Sequence, residues 1–93
     1  MIRIDLSPRF QREASKLSDR DRSDVEAALS TLAKSFGDVH AHAGIGIRRL
    51  KKNLFECRAG LRLRILFFVR KGGRCICHGV GDHDYVRTFL KNL

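Results

Sequence analysis

Leu61-Arg62-Leu63-Arg64-Ile65-Leu66-Phe67-Phe68-Val69, followed by Lys71-Gly72-Gly73-Arg74 and Cys75-Ile76-Cys77-His78-Gly79-Val80, decides the fold. The first run alternates apolar and basic residues as far as Arg64 and is then apolar at every position. Alternation marks a strand with one buried face. The continuous apolar half marks a strand that is covered on both faces and sits centrally in its sheet. Lys71-Gly72-Gly73-Arg74 carries the glycines of a hairpin turn, so Cys75–Val80 returns beside the first run, and Gly81 breaks it.

Working outward, Leu54-Phe55-Glu56-Cys57-Arg58 reads as the preceding strand, with Ala59-Gly60 as its turn, and Ile47-Arg48-Arg49-Leu50 as a short strand before that. Downstream, Asp82 or Asp84 can cap a final helix holding Tyr85, Val86, Phe89 and Leu90. Upstream, Ile2, Ile4 and Leu6 alternate with Arg3 and Asp5 as a strand. Ser7-Pro8 supplies an N-cap and a proline at the first helical position, and Phe10, Ala14 and Leu17 continue a helix over residues 8–17. Ser18 starts a second helix, with Asp19 and Asp21 suiting its positive end. Val25, Ala28, Leu29, Leu32, Ala33 and Phe36 form its apolar stripe, and Gly37 is its natural stop. Residues 37–46, rich in Gly, Ala and His, read as a loop. His40 and His42 within it lack a third ligand nearby and are expected to be solvated rather than metal-bound.

The expected order is therefore β-α-α-β-β-β-β-α. This is an α+β fold with an antiparallel-dominated sheet, a two-helix hairpin packed on one face and a short C-terminal helix. The 93 residues make one domain, spanning 1–93. No apolar run is long enough to span a bilayer, and Met1-Ile2-Arg3-Ile4-Asp5 has no apolar stretch of leader type. The expected location is cytoplasmic. The three cysteines, Cys57, Cys75 and Cys77, do not make a closed disulfide framework. Cys75 and Cys77 share one strand face and are expected to be small core residues.

Charge is distributed unevenly. The net formal charge is +9, yet residues 1–43 hold seven Lys/Arg and seven Asp/Glu, while residues 44–93 hold twelve Lys/Arg and three acids. A solvated surface normally mixes both signs. Such polarisation is the footprint of a polyanionic partner: nucleic acid, an anionic membrane or an acidic protein.

Strand alternation turns this excess into a cluster. Leu61, Leu63, Ile65 and Phe67 share one face of the long strand, and Arg62 and Arg64 the other. In the preceding strand Phe55 and Cys57 oppose Glu56 and Arg58. A three-residue loop at Ala59-Gly60-Leu61 pairs Arg58 with Arg62 and Glu56 with Arg64, uniting the apolar sets under the helices and the polar sets on an open face. Arg58, Arg62 and Arg64 then surround one carboxylate. Clustered guanidinium groups repel unless an anion joins them, and arginine suits bidentate phosphate contact. The alternative is a plain cross-strand pair of Glu56 with Arg64. Lys51 and Lys52, in the turn before, extend the patch as phosphate contacts. His83 lies just past a strand end between Asp82 and Asp84. Its flanking acids favour the imidazolium, which suits a general acid; a lone histidine there is otherwise structural or solvated.

The element order, together with Leu50-Lys51-Lys52-Asn53-Leu54-Phe55-Glu56-Cys57-Arg58, Arg62-Leu63-Arg64-Ile65-Leu66-Phe67 and Val80-Gly81-Asp82-His83-Asp84, resembles the RelE/ParE superfamily of bacterial toxins. These stretches look like the family's L-K-G-x-L-x-E-x-R, R-x-L-F and V-G-x-[RH]-[DE] patterns. The resemblance implies metal-independent cleavage of mRNA, usually in the ribosomal A site, by attack of the 2′-OH on the adjacent phosphate. It implies Glu56 as general base, Arg58 and Arg64 as stabilisers of the phosphorane, and His83 as general acid. Arg48, Lys51, Lys52 and Arg62 are the expected RNA-binding residues, no cofactor is expected, and a small acidic antitoxin is the expected partner. Two positions depart from the family: Phe89 stands where many RelE-type toxins carry a tyrosine, and Lys52 where the K-G turn has glycine. The ParE branch shares the fold but poisons DNA gyrase, and an inactive basic RNA-binding relative is a third possibility. The discriminating geometry is whether Glu56 and His83 approach Arg58 and Arg64.

Overall fold

The computed structural model describes residues 2–35 and 45–93, so Phe36, Gly37, His40 and His42 lie outside the described residues. The chain runs β1 (Arg3–Leu6), α1 (Pro8–Ser15), α2 (Asp19–Ser35), β2 (Arg48–Arg49), β3 (Leu54–Ala59), β4 (Leu63–Arg70), β5 (Arg74–Gly81) and α3 (His83–Lys91). This is the order expected from the sequence. The strands form one sheet in the order β1-β5-β4-β3-β2, parallel only between β1 and β5. β4 is central, as its doubly apolar half requires.

Local chemistry sets the helix ends. The Ser7 hydroxyl accepts the Phe10 N–H at 3.0 Å, and Pro8 opens α1. Lys16 caps α1 two residues short of the span read from periodicity. Ser18 Oγ accepts the Asp21 N–H at 3.1 Å at the start of α2. Of the two candidate caps for α3, Asp82 serves: its carboxylate accepts the Tyr85 N–H at 2.9 Å.

Each sheet face has its own apolar cover. On one face Phe10 of α1 and Val25, Ala28 and Leu32 of α2 pack on Cys57, Ile65, Phe67, Cys75 and Cys77. All three cysteines are free and buried there, as small core residues. On the other face Leu54 and Leu66 meet Val86 of α3, with Phe68, Phe89 and Leu90 around them. Phe67 and Leu66 are fully buried; truncating Phe67 to alanine is expected to cost about 3 to 5 kcal/mol. The face opposite the helix pair is therefore only partly open, because α3 covers its β4–β5 portion.

β5 changes parity midway. Leu66 pairs with Gly79 but Phe67 with Cys77, which makes His78 the extra residue of a β-bulge. β1 pairs with β5 only as far as Cys77, so the rest of β5 needs other partners for its backbone. Side chains supply them: Ser7 Oγ donates to the His78 carbonyl at 3.0 Å, and Glu13 Oε1 accepts the Val80 N–H at 3.1 Å.

Candidate active site

The β3–β4 hairpin sets the site, and its register differs from the expected one by two residues. Arg58 lies opposite Arg64, Ala59 opposite Leu63, and Glu56 opposite Leu66. A two-residue shift leaves every side chain on its own face, so alternation alone does not distinguish the two registers. Packing does. Ala59 is 2 % exposed and extends the buried strand by one residue, and Gly60, at φ +69°, takes the left-handed turn position. A Cβ at Gly60 would press on the Asp24 carboxylate of α2. Arg62 consequently falls in the loop, where its guanidinium donates to Asp21 of α2. The expected three-arginine cluster is thus corrected: Arg62 joins the helix side, and Arg58 and Arg64 face each other directly.

Glu56 is the buried charge of the sheet, with 5 % of its surface exposed. β2 places Arg48 opposite it, and Arg48 Nη2 lies 3.1 Å from Glu56 Oε2. Arg64 Nε approaches the same oxygen at 4.0 Å. Both cations address Oε2. Glu56 Oε1 is buried and has no hydrogen-bond partner among the described residues. A carboxylate out of water needs such cations facing it.

His83 reaches this place through β5. Gly81 pairs with Arg64, and His83, two residues on, is the first residue of α3. It is exposed. Asp82 is committed to the cap, and Asp84 lies 3.8 Å from Arg87. Arg48, Glu56, Arg58, Arg64 and His83, with Gly46 and Ile47, line one open cleft of about 390 Å³. The four residues expected to act chemically are therefore brought together with Arg48.

Gly46 is the cleft residue that the sequence reading missed. At φ +56° it is left-handed, and a Cβ there would sit 2.8 Å from Arg58 Nε and 3.0 Å from Nη2. The Arg58 N–H donates to the Ile45 carbonyl at 2.7 Å. The guanidinium thus lies against a bare peptide, in space that a side chain at position 46 would take. The only sequence signal was the Gly-Ile-Gly spacing at the end of the loop.

Lys51 and Lys52 do not line the cleft. They are exposed in the β2–β3 turn, whose carbonyls Arg49 gathers: its Nη2 donates to the Lys52 carbonyl at 2.8 Å. Phe89 packs on His78, with ring centroids 5.0 Å apart, and Tyr85 turns away, its hydroxyl donating to Glu13 Oε1 at 3.0 Å. Burial, with the Glu13 hydrogen bond behind it, pushes the Tyr85 phenol up to about 12. Among the described residues no group of three or more His, Cys, Asp or Glu is arranged to hold a metal, and no helix is long and apolar enough to cross a membrane.

No family model matches the sequence, and no curated protein matches it. Solved structures do match in shape. YafQ from Escherichia coli strain BL21(DE3) superposes with a TM-score of 0.71 at 11% identity, covering 92% of this chain and 98% of that one. RelE in the RelB-RelE antitoxin-toxin complex of Methanococcus jannaschii gives 0.70 at 15% identity, over 92% and 98%. The isolated Escherichia coli RelE toxin gives 0.63 at 16% identity, over 100% of both chains. The chain therefore has the fold shared by the RelE and YafQ toxins of toxin–antitoxin systems.

Proposed function

We propose that this protein is a toxin that cleaves mRNA by intramolecular transesterification. The observation that carries the proposal is the buried Glu56, one oxygen held by Arg48 and Arg64 and the other unpartnered, in a cleft shared with Arg58 and His83. In this reading a scissile phosphate sits between Arg58 and Arg64, whose mutual repulsion it relieves. The Glu56 carboxylate takes the proton of the 2′-OH as the 2′-oxygen bonds to phosphorus. The P–O5′ bond breaks, and His83 gives a proton to the leaving 5′-oxygen. The products are a 2′,3′-cyclic phosphate and a 5′-hydroxyl. Two guanidinium groups fixed before the substrate arrives stabilise the added charge of the phosphorane without reorganising.

Convergence of Glu56 and His83 on the arginine pair supports this over a gyrase-directed binding module, which has no use for an acid and a base there. Cleavage within the ribosome, and neutralisation by a small acidic antitoxin, complete the proposal. The charge of +9 and the antitoxin complexes among the similar structures support the partner. The test is cleavage of ribosome-bound mRNA by Arg64→Ala, His83→Ala and Glu56→Gln variants, with circular dichroism as the check on folding. Each should lose cleavage by at least about a hundredfold; full activity in Arg64→Ala and His83→Ala together would end the assignment.

A further inference from the structure

A second concentration of cations lies at the far end of the sheet from the cleft, and the proposed chemistry makes no use of it. The registers put Arg70 beside Arg74 and Arg74 beside Arg3, so three arginines stand in one row across β4, β5 and β1. Neighbouring strands are about 4.8 Å apart, so the row is tight. Lys71 follows Arg70 in the hairpin turn. Asn53, whose carbonyl accepts the Val69 N–H at 2.9 Å, brings Lys51 and Lys52 alongside. All six cations are exposed.

Among the described residues one acid pairs with this row. Asp5 pairs with Arg74 and with Arg3. Among the described residues Arg70, Lys71, Lys51 and Lys52 enter no ion pair, and Arg70 instead lies over the Phe68 ring at 5.4 Å. Six positive charges against one negative in so small an area are self-repelling, an arrangement that a polyanion relieves.

The row is also continuous with the cleft. Arg48, opposite Glu56 on the β2 edge, leads toward the Lys51–Lys52 turn, and Arg49, opposite Phe55 and so on the other face, fixes that turn by donating to the carbonyls of both lysines. From Arg64 to Arg70 is six residues of strand, about 20 Å, too far for one phosphate to touch both ends. We propose that this basic row binds the backbone of single-stranded RNA flanking the nucleotides held in the cleft, so that the strand runs along the β2 edge and across the β4–β5 hairpin. The inference rests on the proposed reading of the cleft. A regular chain of phosphates fits the row better than an acidic protein does, because the row continues from a cleft already suited to phosphate.

The probes are two 2′-O-methyl oligonucleotides, which lack the attacking hydroxyl: a trinucleotide, and a strand of about a dozen residues. Binding of each is measured against salt for the wild-type chain, for Arg64→Gln, and for a triple variant Arg70→Gln, Lys71→Gln, Arg74→Gln. Lys71→Gln alone, in the turn, guards against misfolding of the triple variant. Each lost phosphate contact lowers the single-strand salt slope by about 0.7, hence about 2 for three. Between about 0.05 and 0.2 M salt, the wild-type affinity for the long strand should then fall roughly twentyfold more than that of the triple variant. Lys71→Gln should shift it in the same direction, and neither variant should change trinucleotide binding. Equal losses on both probes, or none on the long one while Arg64→Gln weakens both, overturn the row as a binding surface and leave the cleft reading intact. Failure of the wild-type chain to bind the long strand likewise overturns the row, while the cleft reading stands or falls on cleavage of ribosome-bound mRNA.

Discussion

Replacing Gly46 by alanine separates the position of Arg58 from the stability of the fold. Two effects are expected. The first is backbone strain, since φ is +56° and a Cβ in the left-handed region costs about 1 to 2 kcal/mol. In a domain of this size that lowers Tm by about 4 to 16 °C. The second is steric. The new Cβ would stand 2.8 Å from Arg58 Nε, where contact needs about 3.5 to 4 Å. The guanidinium is the end of a flexible side chain, so it swings away by roughly 1 Å at little cost in stability. In the proposed mechanism that displacement is expensive. Misplacing a reacting group by about 1 Å lowers the rate on the order of a hundredfold, and losing a preorganised donor does the same. The control is Gly72→Ala: Gly72 has φ +81°, and a Cβ there would meet nothing within 4 Å, so it carries the strain without the contact. Melting curves and single-turnover RNA cleavage are measured on both. Both variants should melt lower by similar amounts, while Gly46→Ala alone loses about a hundredfold in the chemical step with little change in KM. Equal cleavage by the two variants would refute the role given to Arg58 and the reason given for the glycine.

Tyr85→Phe should lower stability by about 1 to 3 kcal/mol in thermal unfolding, because it leaves Glu13 Oε1 with one donor fewer at the junction of α1, β5 and α3. The phenol, raised from 10.0 to about 12 by burial, contributes stability that is fully present below pH 10 and is lost as pH rises through about 12, so the wild-type chain should show an alkaline loss that Tyr85→Phe reduces. His78 moves the other way: burial, with Arg9 nearby, holds its imidazole below the ordinary 6.5. Its contribution is present above pH 6.5 and is lost as pH falls through the lowered value, which a pH series of melting curves on wild type and His78→Phe would reveal. Burial pushes the Cys57 and Cys77 thiols up to about 12 and Cys75 to about 11, so a thiol reagent at neutral pH should label none of the three until denaturant is added.

Much of this molecule is written in local pattern. The switch from alternation to continuous apolarity in Leu63–Val69 marked β4 as central before any packing was known, because a strand buried on both faces has no room for charge. Ser7-Pro8, Ser18 and the paired glycines at 72 and 73 act through their own neighbours, so helix starts and the β4–β5 turn follow from composition alone. Alternation also placed Glu56, Arg58 and Arg64 on one face. It stopped there, because a pleat repeats every two residues and a register shifted by two is equally good by that criterion. Which arginine faces Arg58 was settled against α2, where Asp21 pairs with Arg62 and Asp24 leaves room only for a glycine at position 60. The covering of part of the polar face by α3, the bulge at His78 and the bare peptide of Gly46 against Arg58 are likewise contacts between segments far apart in the chain. The sequence by itself determined which residues carry charge and which face of each strand they take. Only the tertiary structure decided which of those charges meet, because distance between segments is set by packing and not by spacing along the chain.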